Sequence, residues 1–186
     1  MKIILSTPHL YLREFVPEDA DFIIELVNSP GWLRYIGDRN IRTPGAAIEY
    51  IEQVLIRSYS RNGFGLYMVL EKEGAVPVGM CGLLKRENLD NPDIGFAFLP
   101  RFTGKGYAFE IASATLRNAK EVLGIDTIMA IVQPDNERSI RLLKKLDMQQ
   151  IRTVRWEDTG EELILFSTGL QAQTPPVFAE DESPQS

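Results

Sequence analysis

One cysteine, one histidine and no apolar run long enough to cross a bilayer are the first features of this chain, and each shortage closes off a class of protein. A lone Cys81 cannot form an internal disulfide, and its place in the apolar run "VGMCGLL" reads as a small buried hydrophobe rather than a nucleophile. A lone His9 leaves no histidine-based metal cluster, so no metal is expected. The opening "MKIILSTPHL" is too short in its apolar part for a signal peptide, and we expect a cytoplasmic protein with no membrane partner. Positive charge is short as well. The 20 Lys and Arg stand against 26 Asp and Glu, a net −6 that repels nucleic acid and mildly favours cationic partners.

What is present is the composition of one globular domain. Of 186 residues, 44% are hydrophobic and 25% charged, enough to bury a core. Residues 7–170 read as one domain without internal repeats, and the tail 171–186, rich in Pro, Ser and acids, is expected to be disordered.

Periodicity orders the elements. A strand near Leu10 to Glu14 precedes a helix over Pro17 to Asn28, with proline at its first position, Glu18 and Asp19 in its first turn, and Phe22, Ile23, Leu26 and Val27 on one side. The stretch "SPGWLRYIGDRNIRT" reads as irregular; its Trp32 and Tyr35 either line a binding site or cover the core. Thr43 and Pro44 start a second helix that ends before Asn62 and Gly63. The runs "LYMVLE" and "VPVGMCGLL" form a hairpin about "KEGA".

A third strand, Ile94 to Leu99, turns Ile94, Phe96 and Phe98 to one face and Gly95, Ala97 and Leu99 to the other. That second face is nearly bare, so something can lie close against it. A helix runs from Gly106 to Gly124, "IDTIMAIV" reads as a central strand, and a last helix starts near Asp135 or Asn136 and ends near Leu146. A closing hairpin turns about Thr159 and Gly160. The order β-α-α-β-β-β-α-β-α-β-β is an α/β fold, a mixed sheet flanked by helices.

The segment "RFTGKGYA" lies between a strand and a helix, where unpaired amides and a partial positive charge favour phosphate. Gly104 and Gly106 let oxygens approach the backbone, and Arg101 and Lys105 add charge. Lys105 is followed by glycine rather than Ser or Thr, and Phe109 stands where a dinucleotide loop needs glycine, so neither nucleotide fingerprint is met. A plain tight turn fits this loop equally well.

Together, "IGFAFLPRFTGKGYAFEIASATL", "PDNERSIRLLKKLDM" and the opening "TPHLYLREFVPEDADFIIELVN" resemble the GNAT superfamily of N-acetyltransferases, in the Rim-type branch that acetylates ribosomal-protein N-termini. Arg101, Gly104 and Gly106 fill that family's Q/R-x-x-G-x-G/A pattern. The resemblance covers about Thr7 to Thr168 and implies a single-domain, mostly antiparallel GNAT sheet with acetyl-CoA as co-substrate. By the family's arrangement, the pyrophosphate rests on Arg101, Phe102, Thr103, Gly104, Lys105, Gly106, Tyr107 and Ala108. The pantetheine arm pairs with the backbone of Phe98 and Leu99, and Asn136 and Ser139 lie near the pantetheine and the thioester sulfur. Asn136 also reads as a helix cap and Ser139 as a first-turn serine. Leu143 stands where many of these enzymes carry a tyrosine acid, and Asp147 replaces the glycine of the usual ending.

The implied chemistry is direct attack of a neutral primary amine on a thioester, with no covalent enzyme intermediate. An α-amine, with a reference pKa of about 8, needs less help than a lysine at about 10.4, which favours a protein N-terminus as acceptor. The strand end near Phe98 and Leu99 could present amides to a developing oxyanion, and Ser139 could ease thiolate departure. Asp93 and Glu87 are base candidates, and both also read as solvated turn carboxylates; Glu110 reads as matched to the helix dipole. A small-molecule acetyltransferase acting on an aminoglycoside or polyamine, and a non-catalytic acyl-CoA sensor, are the alternatives.

Overall fold

The computed structural model describes residues 2–156 and 159–169; the tail 171–186 lies outside them. The chain opens with a hairpin, β1 (Ile3–Ser6) and β2 (Leu10–Arg13), then passes through α1 (Ala20–Val27) and a short α2 (Pro30–Tyr35). A long helical stretch follows, made of α3 (Pro44–Tyr50), a π segment (Ile51–Ile56) and α4 (Arg57–Asn62). Next come β3 (Leu66–Glu71), β4 (Val76–Leu84), β5 (Asp93–Phe98), α5 (Tyr107–Glu121), β6 (Met129–Val132), α6 (Glu137–Lys145), β7 (Gln149–Arg155) and β8 (Glu162–Ser167). The strands form one sheet in the order β1-β2-β3-β4-β5-β6-β8-β7, antiparallel throughout except where β5 meets β6.

Strand alternation divides the core in two. On β3, Tyr67 and Val69 join Cys81, Ile94, Ile111, Ala112, Leu143 and Phe166 beneath α5 and α6. Met68 and Leu70 face the other way, onto Phe15, Ile23, Leu26, Ile51, Leu55, Met80 and Leu99 beneath the N-terminal helices. Among the described residues no helix is long and apolar enough to cross a membrane.

Local signals act as their chemistry requires. Thr43 accepts from the Ala46 N–H at 3.3 Å and starts α3. Before α1, the Asp19 carboxylate accepts from the Val16 N–H at 2.9 Å and from both ends of the buried Arg13 guanidinium at 2.6 Å. Gly124 at φ +67° follows α5, and Asp147 at φ +59° takes the left-handed conformation expected of it after α6.

Two elements depart from the sequence-based expectation. The first strand is a hairpin, because "IILS" pairs along β2 as a half-exposed edge, too short to show a period. The stretch expected to be irregular holds α2, with Pro30 at its first position after Ser29, whose hydroxyl donates to Leu26 O at 2.7 Å and does not cap the helix. Trp32 is 4% exposed there, so this ring covers the core.

Candidate active site

Strand β5 has two edges with different fates. One pairs with β4 along its whole length, and the Leu99 N–H extends that ladder to Val78 O at 3.0 Å. On the other edge, parallel pairing is confined to Asp93 opposite Met129, with the Met129 N–H donating to Pro92 O at 2.8 Å. Beyond that point β5 and β6 separate. The unbroken register with β4 turns the main-chain groups of residues 95, 97 and 99 toward β4, and those of Phe96 and Phe98 toward the gap.

This geometry revises two expectations. The Leu99 N–H is committed to Val78 and its carbonyl accepts from the Phe102 N–H at 3.0 Å, so of Phe98 and Leu99 only Phe98 offers main chain to the gap. The face carrying Gly95, Ala97 and Leu99 is not bare. Leu99 is 1% exposed, and a Cβ on Gly95 would meet Leu84 Cδ1 at 2.7 Å and Leu66 Cδ2 at 3.3 Å. Neighbouring leucines fill the space glycine leaves, and the opening lies along the strand's edge.

The edge leads into the glycine loop. After a 3₁₀ turn at Pro100–Phe102, closed by Thr103 N–H and Oγ1 on Pro100 O, the chain reaches Gly104 at φ +82° and Gly106 at φ +84°. Only glycine takes such angles without strain, and nothing lies within 4 Å of a Cβ built on either. The first main-chain bond of α5 runs from Glu110 N–H to Gly106 O at 3.1 Å, leaving the Tyr107, Ala108 and Phe109 amides without an intrahelical acceptor. Thr103, Gly104, Lys105 and Gly106 are exposed. Open glycines, free amides at a 15-residue helix and an unpaired strand edge fit a long ligand carrying a phosphate at one end.

Asn136 caps α6, its Oδ1 accepting from the Ser139 N–H at 3.2 Å, which brings these two residues together in a half-buried first turn. Leu143 is 1% exposed in the core beneath the helix, so its position offers no acid. Asp93 is apart from both. It sits at the closed end of the gap, five residues or roughly 16 Å along the strand from Phe98. The carboxylate is 1% exposed and takes Arg86 Nε at 2.9 and 3.0 Å; burial pushes its pKa up, against the pull of Arg86. Glu87 is exposed in the preceding turn, between β4 and β5. Glu110 does more than match the helix dipole: it accepts from His9 N–H, and its Oε2 lies 2.9 Å from His9 Nδ1, pinning the β1–β2 turn to α5.

Several contacts at this site have no counterpart in sequence pattern. Glu25 of α1 pairs with Arg101, which holds the Glu25 carboxyl below its usual range. Glu71, at the end of β3, accepts from the Tyr107 hydroxyl and lies 3.9 Å from Lys105 Nζ. Arg34 of α2 reaches Asp135, beside Asn136, at 2.9 Å. No local period or spacing carries them, since each joins elements far apart in the chain. Cys81 is buried with Sγ 3.6 Å from Thr115 Oγ1, and burial pushes its thiol up to about 12. Among the described residues no group of three or more His, Cys, Asp or Glu could hold a metal.

Fold and site together present an unpaired strand edge that leads into an open glycine loop, a shape that fits an elongated, phosphate-bearing ligand. The chain belongs to the GNAT acetyltransferases: residues 9–149 match the acetyltransferase (GNAT) domain. It is 29% identical over 154 residues to the uncharacterized N-acetyltransferase YoaA of Bacillus subtilis, covering 82% of this chain and 86% of that one. Its fold matches RimL, a ribosomal L7/L12 α-N-protein acetyltransferase solved with coenzyme A, at a TM-score of 0.75 and 14% identity over 89% of this chain and 97% of that one. It also matches a spermidine N-acetyltransferase chimera from Vibrio cholerae and hSSAT, at 0.68 and 16% over 86% and 94%. One neighbour acts on a protein and the other is named for a polyamine, so likeness at this level shows the fold and leaves the acceptor open. The chain is an enzyme, an N-acetyltransferase of the GNAT type.

Proposed function

We propose that this enzyme transfers the acetyl group of acetyl-CoA to a protein N-terminal α-amine in the cytoplasm. The observation that carries the acceptor is the state of Asp93. It is the one titratable side chain on β5, and it is buried against Arg86 at the closed end of the gap. An acceptor here receives little help in losing a proton. At neutral pH an α-amine is unprotonated roughly 200 times more often than a lysine side chain, from reference values of about 8 and 10.4. A polyamine is penalised in the same way as lysine.

In this reading the pyrophosphate is held by Arg101 through Ala108, with the Tyr107, Ala108 and Phe109 amides as donors at the start of α5. The Phe98 main chain aligns the pantetheine arm and turns an N–H toward the carbonyl oxygen as charge develops on it. Acetyl-CoA supplies an activated acetyl group with a thiol leaving group. Asn136 positions the first turn of α6, and the Ser139 hydroxyl, directly or through solvent, assists the departing sulfur. A thiolate of pKa about 8.5 needs only weak assistance, which is consistent with leucine at position 143.

The test is a thiol-release assay with acetyl-CoA and a panel of peptides with free α-amines starting in alanine or serine, α-blocked lysine peptides, spermidine and an aminoglycoside. Products are read by mass spectrometry. Acetylation of the free-α-amine peptides at the N-terminus is the expected result. Turnover confined to lysine peptides or to small amines overturns the acceptor assignment.

A further inference from the structure

The cations that should meet a pyrophosphate already have partners. Glu25 approaches Arg101 with both oxygens, Oε2 at 3.2 Å from Nη2, and both side chains are about half exposed. Lys105 faces Glu71 in a looser pair at 3.9 Å. Glu25 belongs to α1, and α2 immediately after it holds Arg34 on Asp135, next to the cap of α6. One helical corner thus touches the glycine loop on one side and the Asn136 turn on the other.

We propose that Glu25 is an affinity-setting residue: it competes intramolecularly with the phosphates of the donor for Arg101, and a ligand gains that guanidinium only by displacing the Glu25 carboxylate. The proposal rests on the acetyl-CoA reading above and adds to it a contact that must break on binding. A diphosphate carries more charge than a carboxylate and can also use the free amides at the start of α5. The exchange therefore favours the ligand, at reduced net affinity. An exposed pair of this kind is weak, so its removal is worth about three- to fivefold in binding. The pair also discriminates: a ligand without phosphates has no use for Arg101 and is indifferent to Glu25.

The experiment is calorimetric titration of coenzyme A into the wild-type protein, Glu25→Gln, Arg101→Gln and the double variant, with acetyl-pantetheine as the phosphate-free probe. Thermal melts check that each variant is folded. Glu25→Gln is expected to bind coenzyme A about three- to fivefold more tightly, Arg101→Gln more weakly, and the double variant like Arg101→Gln alone. Acetyl-pantetheine binding is expected not to respond to Glu25→Gln. Unchanged or weaker coenzyme A binding by folded Glu25→Gln overturns the competition while leaving the cofactor assignment intact. The same gain in the Arg101→Gln background overturns it too, since that gain would come from net charge rather than from Arg101. A wild-type protein that binds no coenzyme A overturns both readings.

Discussion

Gly106 stands at φ +84° with open space where a Cβ would go, so a side chain there is opposed by the backbone and by what it would do to a ligand. Gly106→Asp is expected to cost about 1–2 kcal/mol of stability from the left-handed conformation. A carboxylate roughly 4 Å from a diphosphate costs about 4 kcal/mol at a surface-like dielectric, so acetyl-CoA affinity should fall by about two to three orders of magnitude. Calorimetry on the folded variant checks this, and unchanged affinity rejects the loop as the phosphate site. Ser139→Ala is expected to lower kcat by about tenfold or less with KM for acetyl-CoA little changed, because the leaving thiolate needs only weak assistance. A loss of a thousandfold in steady-state assays would assign Ser139 a stronger role. Cys81, buried and with its thiol pushed up to about 12, stays protonated at pH 8 and should be silent to a thiol reagent until the protein is unfolded in denaturant. Reaction of the native protein would show that β4 opens. Residue identities of this kind could be read directly: the glycines, Asn136 and Cys81 each carry a local requirement that the fold meets as expected. Asp93 could not, because the distinction between a solvated turn and a sealed ion pair lies in Arg86, seven residues away in the loop between β4 and β5.

At the scale of elements, capping signals and apolar spacing placed α1, α3, α5 and α6 because a helix is specified by residues within a few turns of one another. The six-residue α2 escaped, since one proline and one serine give a start signal but its length gives no period. For β5 the alternation follows from the chain, whereas the surface left open does not. Leu66 and Leu84 occupy the glycine face, and the usable opening is an unpaired edge, which depends on where β6 diverges. The join between β2 and α1 makes a sharper test. Arg13 and Asp19 are paired at 2.6 Å with side chains 10% exposed, so Asp19→Ala strands a buried guanidinium and frees the Val16 N–H. A loss of about 3–5 kcal/mol is expected in urea unfolding. A loss under 1 kcal/mol would mean that the join tolerates water.

For the molecule as a whole, the sheet is most enclosed at β3 and β4 and least at its two edges, β1 and β7. Hydrogen exchange read by mass spectrometry is expected to be slowest in peptides from β3 and β4 and fastest in β1 and β7. Saturating acetyl-CoA should add protection in peptides spanning 94–98 and 104–109, and protection confined to other segments would move the site. Most elements and the glycine loop followed from the chain alone, because periodicity, caps and positive φ are properties of neighbouring residues. Tertiary structure alone decided which edge of β5 opens, that Arg86 seals Asp93, and that Glu25 and Glu71 meet the loop cations. Glu25 and Arg101 are 76 residues apart, and a contact at that separation is set by how the helices pack across the sheet.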